Sequence, residues 1–386
     1  MNSSYSYKKY KVAVLGVEEP QAGGAHFAEL TMLAQLKEAL PDWNFYMPPQ
    51  TRSHNMLSRY LKKLFSPIFQ LASFSTYTVF FWRIAIRFPV FRLCSFESKL
   101  LKENVDLVLF LGLYDEAIKL SRIPYIVSIW DVGNRDFPSL PEMSADRVYE
   151  YREWRVNHLA KKAFAILVDS NETKQKLNSL YDVPLQRMVS LPFNIRNSNQ
   201  EVLESRSDFA FYPAHFWSHK NHIILIEALS VVMQKGGQPR KLVFTGLDKG
   251  NKQRIDRAIV EFGVCDYIEY LGFVSKETIK ELYSTASVTI MPSILGPTNV
   301  PPIEALALGC PIAITNVMTE DFYNGTGVLR LDPFDVDAWA DILDCEYEFD
   351  PVNTKDFFQS QETIYRENIL NLKELFHGFK LLRNLH

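Results

Sequence analysis

The 386-residue sequence has only four cysteines, Cys94, Cys265, Cys310 and Cys345, too far apart to make a CxxC or Cys/His ligand spacing. That scarcity speaks against a disulfide framework and a cysteine-built zinc site, and it reads as reduced, mostly buried thiols in a cytosolic protein. Neither sign of charge dominates: 42 Lys and Arg against 45 Asp and Glu leave a net charge of -3. There is thus no global pull toward nucleic acid or an anionic membrane, and such a partner would need a local patch. The opening stretch MNSSYSYKKYKVAVLG lacks a signal peptide's apolar core and small-residue cleavage site, so a cytoplasmic location is expected. The uncharged run 64–82 approaches membrane-span length, but Ser66, Pro67, Gln70, Ser73, Ser75, Thr76 and Thr78 interrupt it.

What is present is a soluble globular composition, 47% hydrophobic and 23% charged, at a length that suggests two domains. Apolar strand patterns at 10–16, 43–47, 106–111, 124–130, 163–169 and 186–191 alternate with helical ones. A polar, aperiodic stretch at 192–208 then separates them from a second series at 209–213, 241–245, 267–271, 286–291, 311–315 and 327–331. Strands separated by helices mean parallel, doubly wound sheets. The expected organisation is an N-terminal Rossmann-like domain over 1–195, a linker over 196–207, a C-terminal Rossmann-like domain over 208–365 and a final helix over 366–386 whose end can cross back to the first half.

Chemistry concentrates at strand ends. In 291–316, MPSILGPTNVPPIEALALGCPIAITN, the turn Gly296-Pro297-Thr298-Asn299 ends a strand, Pro301-Pro302 opens a helix and Gly309 closes it. Backbone amides at that helix start suit an anion such as phosphate, and Glu304 on its first turns can reach a neutral hydroxyl-bearing part such as a ribose. Read in isolation, the same stretch is a tight βαβ connection with an ordinary surface Glu. Lys220 follows a strand at a helix start, where its charge can hold a diphosphate. Gly23-Gly24 lies in a strand-loop-helix turn that would let backbone approach phosphate closely, or is only a turn. The loop WDVGNRDFP at 130–138 brings Asp131, Arg135 and Asp136 to a strand end, as site residues or as caps and salt bridges. His215, His219 and His222 crowd together without a nearby carboxylate and read as polar loop residues rather than a metal site. Asp335-Val336-Asp337 begins a helix after Pro333 and reads as N-terminal dipole chemistry, not a metal motif. Across 52–102, nine basic residues face one acid, Glu97, among many aromatics. That patch suits an anionic membrane surface, or a helical insertion with solvated charges, better than nucleic acid, for which no motif is present.

Two Rossmann-like halves facing one cleft imply a diphosphate-bearing ligand. Here the chain resembles a known family. FYPAHFWSHKNHIILIEAL, LVFTG, YIEYLGFVSKETIKELYSTASVTIMPS and GPTNVPPIEALALGCPIAITN are similar, in order, to family-4 glycosyltransferases of the GT-B fold, in a GPTN-x-PPxEA variant. The resemblance is thinner over the first half, resting on GGAHFAEL, WDVGNRDFP and AILVDSNETKQKL. It implies a retaining, metal-independent glycosyltransferase of polysaccharide biosynthesis, using no cofactor and moving a sugar from a nucleotide-diphosphate donor, with UDP, GDP or dTDP open, to a glycan or lipid-linked acceptor. It assigns Lys220 and Glu304, with Asp131, to catalysis. To the donor it assigns Gly23, Gly24, His215, Gly246, Gly296, Pro297, Thr298, Asn299 and Val300 besides Lys220 and Glu304. Trp130, Asn134 and Arg135 fall on the acceptor side. Gly296 stands where many members carry Glu, His215 where many carry Arg, and Trp130 and Asn134 where many carry His. A catalytically impaired nucleotide-sugar-binding subunit, or a sugar-nucleotide epimerase on the same fold, therefore stays open.

Overall fold

The computed structural model describes residues 9–16, 24–48, 95–193, 195, 206–296, 299–319 and 323–384. Gly23, Pro297, Thr298 and the 52–94 part of the basic stretch lie outside the described residues. The first half builds a sheet from β1 (Lys11–Leu15), β2 (Asn44–Tyr46), β3 (Leu107–Phe110), β4 (Tyr125–Ile129), β5 (Ala165–Val168) and β6 (Met188–Ser190), in the order β2-β1-β3-β4-β5-β6. The second builds one from β7 (Ser207–Pro213), β8 (Lys241–Thr245), β9 (Ile268–Gly272), β10 (Ala286–Met291), β11 (Ile312–Thr315) and β12 (Val328–Leu331), in the order β12-β11-β10-β7-β8-β9. Every pairing within the two sheets is parallel. LVLF of β3, YIVSI of β4 and AILV of β5 are buried at every position, because helices cover both faces of a parallel sheet. β7 begins at Ser207, two residues before the strand read from the sequence, and pairs there with Ala286.

Among the described residues the helices are α1 (Gly24–Ala39), α2 (Ser95–Lys102), the single-turn α3 (Gly133–Asp136) and α4 (Pro141–Ser144), α5 (Val148–Lys162) and α6 (Asn171–Tyr181) in the first half. In the second they are α7 (His222–Gln234), α8 (Lys252–Glu261), α9 (Lys276–Thr285), α10 (Val300–Ala307), α11 (Val336–Leu343) and α12 (Thr354–Asn384). Ser170 caps α6 by accepting the Thr173 amide, and Asp335 caps α11 by accepting that of Ala338, the helix-start chemistry read for the DVD triplet.

In each sheet the strand order reverses beside the first strand, between β1 and β3 and between β7 and β10. Loops leaving these strands diverge to opposite faces, so a crevice opens outside their carboxyl ends. α12 ties the two halves together. Its Phe357 packs in the core of the second half, while Ile369, Leu372, Phe376 and Phe379 close over Tyr10 and Trp43 of the first. The Trp43 ring lies 4.6 Å from Phe376 and 4.9 Å from Tyr10. A helix of 31 residues is long enough to touch both cores, at roughly 47 Å. No described helix is long and apolar enough to cross a membrane.

Candidate active site at the domain junction

The site is built at the β7/β10 reversal. Gly246, just past β8, has φ +139°, and a Cβ there would lie 2.4 Å from the Ala214 carbonyl oxygen, so only glycine lets β8's end close onto the loop leaving β7. That closure places His215, whose Nδ1 accepts the Leu247 amide at 2.9 Å. The chain then makes the short helical turn Ser218–Lys220, held from below by the Tyr212 hydroxyl, which donates to the Lys220 carbonyl at 2.6 Å.

Lys220 donates from Nζ to Asn299 Oδ1 at 2.9 Å and approaches Ser293 Oγ at 3.5 Å. Burial pulls its pKa down to about 8, partly opposed by the negative charge of Asp131. Asn299 also donates from Nδ2 to the Gly296 carbonyl at 3.1 Å. It precedes α10 without capping it. Because residues 301 and 302 are prolines, two of the first three positions of α10 have no N–H, and the Val300 amide is the one donor the helix offers there. Fixed charge from Lys220 therefore matters more here than at an ordinary helix start. Gly296 has φ +93°, a conformation a glutamate would adopt only under strain, which accounts physically for the missing acid.

Glu304 lies on the same helix and accepts the Tyr283 hydroxyl at 2.9 Å. Burial raises its pKa to about 7, against the lowering effects of Tyr283 and Lys276. α1 packs against α10, and its Ala28 joins the core of the second half, which brings the Gly24 end of α1 to the same junction.

From the first half, Asp131 follows β4 and accepts from the Gly133 amide at 2.9 Å and from Arg152 at 2.8 Å. Burial opposes its charge, but Arg152, the Gly133 amide and His219 outweigh that and hold the carboxyl below its usual range. Trp130 packs against the cores of both halves, its ring 5.4 Å from Phe193. Asn134 and Arg135 are not brought to Lys220. Asn134 donates to Glu153 at 2.6 Å, and Arg135 grips the same carboxylate at 3.0 Å from Nε while its guanidinium lies 4.4 Å from the Tyr181 ring centre, so both brace α3 against α5 and α6. The three histidines also part company. His215 faces Leu247, His222 is fully buried among Tyr212, Phe216 and Phe244, and His219 turns to the other domain. Among the described residues no group of three His, Cys, Asp or Glu could hold a metal ion.

His219 meets Glu142 of α4, which accepts its backbone N–H at 2.9 Å and lies 2.7 Å from its Nδ1. Met143 joins Ile294 and Leu295 in an apolar contact between the halves, and a Cβ on Gly133 would come within 2.8 Å of Leu295. Beside this contact a pocket of about 250 Å³ opens between the domains. Asp131, Asp136, Glu172, Thr173 and Lys176 form its polar wall. Val132, Phe137, Leu295 and Val317 form its apolar one, and Gly296 lies at the donor-loop side. Of these side chains the sequence reading names Asp131 and Asp136 in the WDVGNRDFP loop, where Phe137 is the next residue, whereas nothing local marks Glu172, Lys176 or Glu142.

Residues 194–345 match the family described as Glycosyl transferases group 1. The O-antigen chain mannosyltransferase B of Escherichia coli is 27% identical over 206 residues, which cover 50% of this chain and 54% of that protein. The chain thus spans about half the length of that curated relative. Sucrose-phosphate synthase from Thermosynechococcus elongatus superposes with a TM-score of 0.62 at 15% identity, covering 97% of this chain and 100% of that one. Anabaena Alr3699/HepE in complex with UDP gives 0.60 at 14% identity, again covering 97% and 100%. Similarity at this level shows the fold, the two-domain α/β arrangement called GT-B.

Proposed function

We propose that this chain, whose residues 194–345 carry the glycosyl transferases group 1 match, moves a sugar from a nucleotide-diphosphate sugar to a glycan or lipid-linked acceptor, with retention at the anomeric carbon and without a metal ion. The observation that carries the reading is that, at one strand-order reversal, the Lys220 ammonium is held on Asn299 at the start of α10, the helix that carries the Val300 amide at its first position and the Glu304 carboxylate one turn on. Glu304 can accept from ribose hydroxyls while the diphosphate lies against Lys220 and the start of α10. When the bond from the anomeric carbon to the diphosphate oxygen breaks, negative charge grows on that oxygen. A fixed ammonium in a water-poor cleft stabilises it, the task a divalent ion performs elsewhere. Asp131, held ionised by Arg152, keeps Lys220 from losing more of its charge.

The mannosyltransferase relative and the UDP-bound neighbour favour polysaccharide assembly as the setting and a nucleotide sugar as the donor. The basic-aromatic stretch 52–102 would hold the enzyme at an anionic membrane face. Co-sedimentation with anionic vesicles checks this, and equal recovery in the supernatant with and without them refutes it. Titration calorimetry against UDP-, GDP- and dTDP-sugars tests the main reading, followed by NMR of the product anomer. Binding of one nucleotide series is expected, lost or strongly weakened in Lys220→Ala and Glu304→Ala. Failure of every nucleotide to bind, or unaltered binding in both variants, refutes it.

A further inference from the structure

The polar wall of the interdomain pocket is built around one lysine and two acids. Lys176 Nζ donates to Asp136 Oδ2 at 2.7 Å and to Glu172 Oε1 at 2.8 Å. Glu172 is in turn steadied from the second half by the Thr319 hydroxyl, which donates to its Oε2 at 3.0 Å. The group is accessible: the side chains of Asp136 and Lys176 are each 34% exposed and that of Glu172 is 27% exposed. With Asp131 the wall carries three carboxylates against one ammonium, and Arg152 balances Asp131. Acid oxygens that already share a cation can still accept hydrogen bonds from hydroxyl groups, whereas a second anion meets like charge. Facing them, Val132, Phe137, Leu295 and Val317 offer an apolar surface suited to the C–H face of a pyranose. A volume of about 250 Å³ has room for one sugar ring. The position is also informative. Gly296 and Asp131 line the pocket; the Gly296 carbonyl is bonded by Asn299, and Asn299 holds Lys220. The pocket therefore begins where the diphosphate site ends.

We propose that this pocket is the acceptor subsite and that it takes an uncharged sugar, whose hydroxyls are read by Asp136 and Glu172 across their shared Lys176, while rejecting sugars that carry phosphate or another anionic group. The assignment rests on the glycosyl-transfer reading and extends it to residues that reading does not use.

Saturation-transfer NMR on the full chain tests it, with methyl α-D-mannopyranoside and methyl α-D-glucopyranoside as neutral probes and the 6-phosphates of mannose and glucose as anionic ones. Nucleotide affinity is measured on the same samples, so that loss of the transfer reading (no nucleotide bound) is told apart from loss of the pocket (nucleotide bound, neutral probes not). Wild-type protein is expected to bind a neutral glycoside and no phosphate. In the double variant Asp136→Asn, Glu172→Gln, Lys176 is unopposed. The neutral glycoside should then bind about tenfold more weakly and a sugar phosphate should gain affinity, with nucleotide binding unchanged. A loss of packing alone would weaken both probes and would not invert the preference. The wild-type comparison needs no variant to fold. Equal binding of neutral and phosphorylated probes by the wild type, no binding of the neutral ones, or an unchanged preference in the folded double variant overturns the assignment.

Discussion

Lys220 supplies the sharpest prediction because its charge lies within reach of ordinary pH. An exposed lysine stays protonated to about pH 10.5, whereas burial brings this one to about 8. At pH 8.5, half a unit above that value, about three-quarters of the Lys220 amines are neutral in the unliganded protein. A bound diphosphate favours the charged form, so its arrival raises the pKa and draws a proton from solvent, about 0.7 per nucleotide if the bound pKa passes roughly 10. At pH 7 Lys220 itself takes up only about a tenth of a proton, and Glu304, half protonated there, adds its own change, so pH 8.5 is where Lys220 is read alone. Other groups stay silent at pH 8.5: Glu304, at about 7, is already ionised, and a nucleotide's terminal phosphate, with a pKa of about 6, is too. Calorimetric titration of a nucleoside diphosphate in two buffers of different ionisation enthalpy reads the uptake directly. In Lys220→Met the buffer dependence should vanish, and affinity should fall about 10- to 100-fold, as for a lost charge-assisted hydrogen bond. If the nucleotide binds with buffer-independent heat at pH 8.5, or if Lys220→Met takes up the same proton, Lys220 does not face the diphosphate.

Glu304 links to pH with the opposite sign. Its folded pKa of about 7 lies above the unfolded 4.5, so the folded state holds the extra proton and its stabilising contribution is lost as pH rises from about 4.5 through 7. Unliganded Glu304→Gln should therefore be more stable than wild type at pH 8, by ~1–2 kcal/mol once partial solvent access is discounted, with little gain at pH 5. A melting-temperature difference equal at both pH values would disprove this. Gly246→Ala should cost ~2–4 kcal/mol in urea unfolding, since the new Cβ meets the Ala214 carbonyl at 2.4 Å. Gly250→Ala, with φ +99° but open space around the Cβ, should cost about 1 kcal/mol, and equal costs would show that the close approach is not what requires glycine at 246.

Much of the fold was legible in the chain because its signals are local. Runs such as LVLF, YIVSI and AILV, short, rich in β-branched residues and each followed by a helical pattern, read as buried parallel strands. Lys220, Asn299 and Glu304 were legible for the same reason: each sits within a turn or two of an element end, and strand ends are where such a sheet opens its crevice. Side-chain direction inside a short turn is not local. Asn134 and Arg135 look like cleft residues in WDVGNRDFP, yet Glu153 of α5 captures both, and the next two residues, Asp136 and Phe137, face the pocket. No spacing foretells that choice, since it depends on where a carboxylate 18 or 19 residues onward lands once α5 packs. The Glu142 to His219 pair, 77 positions apart and in different domains, is further still from any window of sequence.

The sequence by itself therefore determined the alternation, the two parallel sheets, the lysine and glutamate at the ends of their elements, and the C-terminal helix able to bridge both halves, because hydrophobic period, capping and turn chemistry act over a few residues. Only the tertiary structure decided which side chains look into the cleft, how far burial moves the protons of Lys220 and Glu304, why residue 296 is a glycine, and which acids share Lys176, because desolvation and long-range pairing exist only after the domains have packed.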